Sequence, residues 1–324
     1  MAIFFALVLL GPLVIDNEGR HLWYLIPSVA PVFAAGLAED LGYNVSPRNR
    51  LIAAGISSLV AIMLFGMWIP RADIPLLSLF FAFAPLAIAV TVLGGAGICN
   101  AFNLVDGVNG LSGSIAVVAA GALAAIAAQN GLHNVVAWCA VMIGALLGFL
   151  IFNFPFGKIF MGDAGAYSVG HVLAWIAFLL LNYIPTLTPW ALVLIFFWPI
   201  ADTMLAIFRR RLAGRPADQP DRLHFHQLVM RALEIAVLGR NSRHISNPLT
   251  TVILAPMFIA PAIAGVMFWN NPAGAGLSLV FFSAVFVAAY RFGASVVGYL
   301  RQPVGRRTGQ GWGSTRKRLS QRKH

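Results

Sequence analysis

Apolar runs separated by short polar segments repeat along almost the whole chain. Most of these runs have a length that suits a membrane-spanning helix, which takes roughly 20 apolar residues. The pattern therefore predicts an all-α, polytopic membrane protein with about ten transmembrane helices in one membrane-embedded domain over 1–300. The predicted spans are 2–15, 22–38, 51–69, 75–98, 111–130, 134–152, 167–184, 189–208, 249–269 and 276–299.

Composition excludes an ordinary water-soluble protein. The chain is 59% hydrophobic and 10% charged, with a mean hydropathy of +0.81, well beyond globular averages. The first run, 2–15, would form a helix of only about 21 Å against an apolar bilayer core of about 30 Å. We therefore expect the native helix to begin upstream of Met1. The run lacks the basic segment and the small-residue cleavage site of a signal peptide.

The cations predict the orientation of the chain. Of the 22 lysines and arginines, all but Arg20, Arg71 and Arg291 fall in segments that ten spans would place on one side of the membrane. The positive-inside rule makes that side cytoplasmic. The net charge of +11 is then explained by topology and anionic lipid, and we expect no nucleic-acid partner. The cytoplasmic segments are 39–50, 99–110, 153–166, 209–248 and a basic, unstructured tail at 301–324.

The most informative stretch is NFPFGKIFMGDAGAYSVG, residues 153–170. Asp163 stands between glycines, which let backbone and carboxylate come close to a polyanion or to its metal ion. Lys158 adds a cation five residues earlier. A loop turn with a solvated aspartate is the simpler alternative for this pattern.

Two adjacent carboxylates, Glu39 and Asp40, end the second predicted span. At a helix end both can reach a metal ion or a proton on a phosphate. The alternative is an acidic pair at the membrane border, matched by Arg48 and Arg50.

A series of amides follows in NAFNLVDGVNG, where Asn100, Asn103, Asp106 and Asn109 recur every three residues. Over a helical turn this spacing gathers them toward one edge. Amides and a carboxylate together suit the recognition of a nucleobase or a sugar. Polar groups at membrane depth are costly unless they face a polar cavity, so we favour a binding role over a packing role.

Asp202 lies in an apolar span, just after Pro199. A carboxylate in such a place is functional by default, although an arginine of the next loop could be a structural partner. That loop carries Arg222, His224 and His226, which could contact phosphate oxygens. The histidines could also bind a metal, but zinc is disfavoured because no cysteine or second histidine pair lies nearby. The apolar stripe at 228–238 predicts a helix along the membrane surface.

The motifs AEDLG, NAFNLVDGVNGL, NFPFGKIFMGDAGAYSVG, PIAD and DRLHFH, in this order, resemble those of the polyprenyl-phosphate N-acetylhexosamine-1-phosphate transferases. The resemblance covers roughly residues 23–230. It implies transfer of a sugar 1-phosphate from a UDP-sugar to undecaprenyl phosphate or another polyprenyl phosphate, with release of UMP. This step would start a cell-envelope polysaccharide such as O antigen at the bacterial inner membrane. The resemblance implies Mg²⁺ as cofactor, with Mn²⁺ as an alternative, and allows a homodimer.

The resemblance also assigns roles to residues. Asp163 would bind the metal, and Asp40 with Glu39 would act on the lipid phosphate. The uridine diphosphate would be held by Asn100, Asn103, Asp106, Asn153 and Phe160, and the sugar or phosphate by Arg222, His224 and His226. Asn109, Lys158 and Asp202 complete the candidate substrate-binding set.

Three departures from the family pattern leave other classes open. Glu39 stands where the family has aspartate, and Gln227 where a further histidine is usual. The span and the Pro-Arg-Gly-Gly loop with which the family usually begins do not precede Met1. A catalytically inactive homologue that serves in assembly is one alternative. A transporter is another, although it would carry carboxylates near the bilayer midplane, often in repeated halves.

Overall fold

A computed structural model describes residues 22–74, 80–212, 214, 224–239 and 242–300, with side chains described up to residue 295. Over these ranges the secondary structure is helical and contains no strand, which confirms the all-α prediction. The α-helices are α1 Leu25–Asp40, α2 Pro47–Phe65, α3 Ala84–Val105, α4 Leu111–Gln129, α5 His133–Asn153, α6 Gly162–Tyr183, α7 Pro189–Ile195, α8 Phe197–Leu212, α9 Phe225–Leu233, α10 Arg243–Met267 and α11 Pro272–Leu300.

The described helices confirm a polytopic membrane protein. Eight of them are long and apolar enough to cross a bilayer: α1 to α6, α10 and α11. The pair α7 and α8 meets the same test as one span with a bend of 81°. The predicted span 2–15 and the tail 301–324 lie outside the described residues.

Some predicted boundaries were wrong. The segment 99–110, predicted as a loop, is helical as far as Val105, because Asn100 is compatible with the helix: its side-chain amide donates to the carbonyl of Ala96 at 2.9 Å. The segment 153–166 already contains the start of α6 at Gly162. The long segment 209–248 contains α9, and a short π-helix, Glu234–Leu238, follows it.

The central element is α6. In its most apolar stretch 94% of the residues are buried, against 11% in α11. Glycines let its neighbours approach closely: a Cβ on Gly36 of α1 would lie 2.6 Å from the Cα of Ala164, and one on Gly170 would lie 2.9 Å from the Cα of Cys99 in α3. Small residues at such crossings allow close backbone packing between membrane helices.

The carboxyl end of α6 is closed by Arg71, from the segment after α2. Its guanidinium donates to three backbone carbonyls, those of Leu181 at 3.4 Å, Ile184 at 3.2 Å and Leu187 at 2.5 Å. Asp73 lies 3.4 Å from the same side chain. A cation at a helix carboxyl end satisfies otherwise unpaired carbonyls and complements the helix dipole.

The bundle has two distinct ends. At the site end, the segments 39–50, 100–110, 153–163 and 224–226 lie together, and all of them fall within the segments predicted to be cytoplasmic. At the opposite end, the segments 66–74, 130–133, 183–188 and 268–271 meet. There the backbone N–H of Thr188 donates to the carbonyl of Trp269 at 2.8 Å. The candidate chemistry therefore gathers at one end.

Candidate active site

The site is built around the amino terminus of α6, where Asp40 closes the helix from outside. The carboxylate of Asp40 accepts the backbone N–H groups of Asp163 at 2.9 Å and Ala164 at 3.0 Å. Gly162, with φ +69°, makes the turn, and a Cβ there would lie 2.7 Å from Oδ2 of Asp40. An acidic cap satisfies unpaired N–H groups and complements the helix dipole. Each oxygen of Asp40 therefore accepts one hydrogen bond from the protein.

Asp163 itself is held by an arginine from a different motif. Arg50, in the first turn of α2, donates to Oδ2 of Asp163, and both side chains are partly exposed, at 16% and 23%. The alternative interpretation matched Arg48 and Arg50 with the Glu39–Asp40 pair, but the ion-pair partner of Arg50 is Asp163. The ion pair fixes Asp163 at the helix start, and leaves its second oxygen available to a cation.

Glu39 brings an unpaired carboxylate oxygen to the same place. Its Oε2 is buried and has no hydrogen-bond partner among the described residues, and the same holds for Nε of Arg50. On α6, the hydroxyl of Tyr167 donates to Oδ1 of Asn100 at 3.3 Å. A buried charged atom without a partner is costly, so it indicates a place where a ligand can complete the site.

Asp106 follows α3 directly and so lies beyond the end of that span. It accepts a hydrogen bond from the hydroxyl of Ser112. Burial raises the pKa of Asp106, the Ser112 hydroxyl opposes that effect, and the negative charge of Asp40 adds to it. Asn103, half-buried one turn earlier, makes no side-chain hydrogen bond with another described residue. At this edge of the site, the carboxylates of Asp106 and Asp40 lie near the side-chain amide of Asn103, which is available to a ligand.

Asn109 ties three segments together. Its backbone N–H donates to Oδ1 of Asn247 at 2.7 Å, its side-chain amide donates to the carbonyl of Pro155 at 2.9 Å, and its own carbonyl accepts the hydroxyl of Thr251 at 2.7 Å. These bonds join the loop after α3 to the loop after α5 and to α10. Asn109 therefore shapes the site, and contact with a substrate stays a prediction.

Asn153 makes a similar link from the end of α5. Its Oδ1 accepts the backbone N–H of Gly110 at 2.6 Å, and its Nδ2 donates to the carbonyl of Ile159 at 2.8 Å. The side chain is buried. Because both ends of the amide are used inside the protein, its geometry favours a supporting role.

Lys158 and Phe160 are the exposed members of this loop. The ammonium of Lys158 lies 5.8 Å from the centre of the Phe156 ring, a distance at which a cation and a ring attract each other. Phe160 is 74% exposed, three residues before Asp163. Both side chains are accessible to a ligand without any rearrangement of the core.

Asp202 lies in α8 with two histidines. It is 1% exposed; its Oδ1 accepts the backbone N–H of Phe225 at 2.9 Å and its Oδ2 lies 3.2 Å from Nδ1 of His224. Nδ1 of His226 is 3.3 Å from the same oxygen, but no aligned hydrogen bond forms. The alternative of an arginine partner was therefore wrong for the described residues. Arg222 lies outside them.

His226 connects this cluster to the rest of the site. A Cβ on Gly107 would lie 3.0 Å from Nε2 of His226, so the imidazole packs against the loop that carries Asp106. The helix that begins beside it is only partly a surface element: Leu228 and Met230 are buried, whereas Val237 is 73% exposed. Only the end of the stripe is exposed, and its position along the membrane surface stays a prediction.

The site offers oxygen donors that fit Mg²⁺. No group of three histidine, cysteine, aspartate or glutamate side chains forms a ready metal cage within the described ranges. Mg²⁺, however, is usually bound through one or two carboxylates together with substrate phosphates. The free oxygen of Asp163 and the unpaired Oε2 of Glu39 are donors of that type, so the residues fit the ion.

Sequence reasoning missed the residues that hold these groups. Arg50 was considered only as a partner of the neighbouring acids, and Ser112, Tyr167 and Asn247 were not singled out. Ser112 was within reach, because it stands in the same Gly-rich motif as Asp106. The other three act across long stretches of the chain, which no local pattern reveals.

Residues 22–181 match the model of Glycosyl transferase family 4. The chain is 33% identical over 203 residues to a "probable undecaprenyl-phosphate N-acetylglucosaminyl 1-phosphate transferase" of Bacillus subtilis, a match covering 61% of this chain and 55% of that protein.

Two further relatives are both named undecaprenyl-phosphate alpha-N-acetylglucosaminyl 1-phosphate transferase. The Yersinia pestis protein is 30% identical over 234 residues, with 70% of this chain and 64% of that protein covered. The Escherichia coli K12 protein is 30% identical over 216 residues, with 64% and 58% covered. The chain thus spans between 55% and 64% of the length of these three relatives. It belongs to the polyprenyl-phosphate N-acetylhexosamine-1-phosphate transferase family.

Proposed function

We propose that this protein transfers a sugar 1-phosphate from a UDP-sugar to a polyprenyl phosphate and releases UMP. The observation that carries the proposal is the convergence of Glu39, Arg50, Asp106 and Asp163 at the amino terminus of α6. Three carboxylates, one of them with an unpaired oxygen, gather beside a helix end that attracts anions. Such a place suits two phosphate-bearing reactants bridged by a cation.

The proposed reaction is a displacement at phosphorus. An oxygen of the lipid phosphate forms a bond to the phosphorus that carries the sugar, while the bond from that phosphorus to the bridging oxygen breaks. UMP leaves with the bridging oxygen, and a pyrophosphate-linked sugar remains on the lipid. Phosphoryl transfer depends mostly on positioning and on the stabilisation of charge, so the protein needs fixed charges more than a covalent catalyst.

The described residues would have separate roles in this reaction. Asp163, held by Arg50, and Glu39 would hold Mg²⁺, and the ion would neutralise charge on the phosphates of the donor. Asp40 acts by capping α6 and so keeps Asp163 in place. Glu39 would also lie next to the lipid phosphate that the ion holds. Phe160, exposed beside them, offers a ring on which the uracil can stack.

The donor and the location are inferred from the relatives. Their names specify an N-acetylglucosaminyl 1-phosphate and undecaprenyl phosphate, so UDP-N-acetylglucosamine is the first donor to test. Multiple apolar helices and bacterial relatives favour a multi-pass protein of the bacterial inner membrane. A transporter is disfavoured because Asp40, Asp106 and Asp163 all lie at one end of their helices, away from the midplane.

The test is UMP release by the purified protein in detergent, with undecaprenyl phosphate, Mg²⁺ and a panel of UDP-N-acetylhexosamines. We expect release to need both the lipid and the metal, and to stop when a chelator removes the metal. Asp163→Asn is expected to abolish it. Asp73→Asn is the matched control, because it makes the same change to a carboxylate at the opposite end.

Absence of UMP with every donor, in a protein that remains folded, would contradict the proposal and favour the inactive homologue. Equal rates for Asp163→Asn and Asp73→Asn would contradict the assignment of the site.

A further inference from the structure

A buried cluster of one carboxylate and two imidazoles joins the broken span to the loop after it. Asp202, His224 and His226 are 1%, 4% and 0% exposed. We infer that Asp202 is a positioning residue, which keeps Nδ1 of both histidines toward itself and so turns Nε2 of His226 toward the loop of the site that carries Asp106. No substrate needs to touch Asp202 for this role.

The division of labour between the two oxygens of Asp202 supports this inference. Oδ1 accepts the backbone N–H of Phe225, and Oδ2 is shared by Nδ1 of His224 at 3.2 Å and Nδ1 of His226 at 3.3 Å. An ionised carboxylate only accepts hydrogen bonds, so it favours a proton on Nδ1 of His224, with which it is hydrogen-bonded. Nδ1 of His226 makes no aligned hydrogen bond, but at 3.3 Å the negative charge of the same oxygen favours a proton there as well. The same orientation holds whether the rings are neutral or charged.

The rings are also held relative to each other. Those of His224 and His226 are stacked, with centres 5.5 Å apart and planes inclined by 16°. Rotation of one imidazole about its Cβ–Cγ bond would therefore disturb its stacking on the other ring. The shared Oδ2 of Asp202 and the stacking of the two imidazoles together fix one orientation of the histidine rings.

The other edge of His226 faces the loop that follows α3. A Cβ on Gly107 would lie 3.0 Å from Nε2, and Asp106 is the residue before that glycine. In the described part of the chain this Nε2 has no hydrogen-bond partner. A buried ring nitrogen that lies against this loop and lacks a partner can bind a polar group that a substrate brings to the loop. Carboxylates commonly orient functional histidines through the opposite ring nitrogen.

Asp202 is not the only anchor of α9. The Phe225 ring lies 5.3 Å from the ring of Trp198, 5.2 Å from that of Phe286 and 5.6 Å from that of Tyr290. Arg209 donates to the hydroxyl of Tyr290 at 2.8 Å. This aromatic cluster holds the start of α9 independently, so a change at Asp202 can alter the histidines while the helix stays docked.

The decisive variant is Asp202→Asn. The asparagine Oδ1 can still accept the N–H of Phe225, but the amide nitrogen that replaces Oδ2 cannot accept from Nδ1. We expect the two imidazoles to adopt the tautomer that is protonated at Nε2. The measurement is the ¹⁵N spectrum of protein labelled in its histidine rings, taken where neutral imidazole dominates. His224→Gln, His226→Gln and His133→Gln assign the signals, His133 being an exposed residue at the opposite end.

In the unaltered protein the expected result is protonation at Nδ1 for His224 and His226, with a switch to Nε2 in Asp202→Asn. Protonation of His226 at Nε2 before the change, or the same tautomer after it, would overturn the inference. This spectrum needs no turnover, so it decides the question even if no UDP-sugar is a substrate.

A kinetic test rests on the proposed function. Asp202→Asn is expected to lower kcat about 10- to 100-fold, as loss of an orienting partner does, with little change in KM. His226→Asn keeps a donor near Nδ1 but lacks Nε2, so it should lose at least as much. Because Asp202 would act through His226, the double variant should be no slower than His226→Asn alone. Additive losses would mean that Asp202 has only a structural role, and would overturn the inference.

Discussion

The two ends of α6 solve the same problem in different ways. Both ends of a helix leave backbone groups unpaired, and here both are closed by a charged side chain from another segment. At the opposite end, Arg71 donates to three carbonyls and lies beside Asp73. At the site end, Asp40 accepts two N–H groups, but its neighbours are not fully paired.

The two ends differ in the buried polar atoms that have no hydrogen-bond partner. Oε2 of Glu39, Nε of Arg50 and both ring nitrogens of His226 are buried without a hydrogen-bond partner in the described ranges. These four atoms lie at the site end, although the indole N–H groups of Trp138 and Trp175, away from the site, also lack a hydrogen-bond partner among the described residues. An unpaired ionisable group inside a membrane protein is costly, which favours a functional role for Glu39, Arg50 and His226. The opposite end is therefore built for stability, and the site end keeps polar atoms for ligands.

The two arginines give the largest expected contrast. Arg50→Ala removes the partner of Asp163, and we expect activity to fall about 10²- to 10³-fold, as when one electrostatic contact to a transition state is lost, with only a small loss of stability. Arg71→Ala leaves carbonyls unpaired and should lower the free energy of unfolding by about 2 kcal/mol, with unchanged activity per folded molecule. UMP release and thermal unfolding in detergent measure the two effects. The reverse pattern would contradict the comparison.

Many of the membrane spans and the chemical motifs could be predicted from the sequence, because the residues that specify them are close together in the chain. Spans such as α5 are set by local hydrophobicity, and chemical motifs such as that around Asp163 are contiguous in the chain. Partners across the chain are not encoded locally. Arg50 reaches Asp163 over 113 residues, and Asn153 supports Gly110 over 43, so their roles depend on packing.

Helix ends were the weakest part of the prediction for the same reason. Hydropathy falls at Asn100, yet α3 continues to Val105, because the asparagine side chain bonds to the preceding turn of its own helix. The choice between the alternatives for Asp202 also required the structure. Its partners are two histidines that follow a loop of the chain, and only folding brings them to α8.

Two glycines separate backbone strain from the contact with Asp40. Gly66 and Gly162 have nearly equal φ, +64° and +69°, but a Cβ at Gly66 would meet nothing within 4 Å, whereas one at Gly162 would lie 2.7 Å from Oδ2 of Asp40. Each change to alanine should cost about 1 kcal/mol from left-handed strain. Gly162→Ala should also displace the cap and lower UMP release about tenfold or more.

Gly66→Ala is the matched control, and it is expected to retain activity. Thermal unfolding reports the strain in both variants, and initial rates report the position of Asp163. Equal rates for the two proteins would mean that the cap does not control the site.

The smallest expected effect is a dependence of stability on pH that originates at Asp106. Burial and the charge of Asp40 raise its pKa in the folded protein. Near pH 4, about the ordinary pKa of aspartate, the carboxyl of the folded protein is more protonated than that of the unfolded chain, because its pKa is raised. As pH rises from there, the unfolded chain ionises first, so stability falls until the folded carboxyl has ionised as well.

Asp106→Asn removes this titration and keeps an acceptor for Ser112. The stability of the variant relative to the unaltered protein should therefore be more favourable at pH 7 than at pH 4. Ser112→Ala should do the opposite, because loss of the hydroxyl raises the pKa of Asp106 further and enlarges the penalty at neutral pH. Thermal unfolding of the three proteins in one detergent at several pH values measures the effect. A difference that does not change with pH would show that Asp106 is already stabilised as an anion, so that the site end carries no excess negative charge for a cation to relieve.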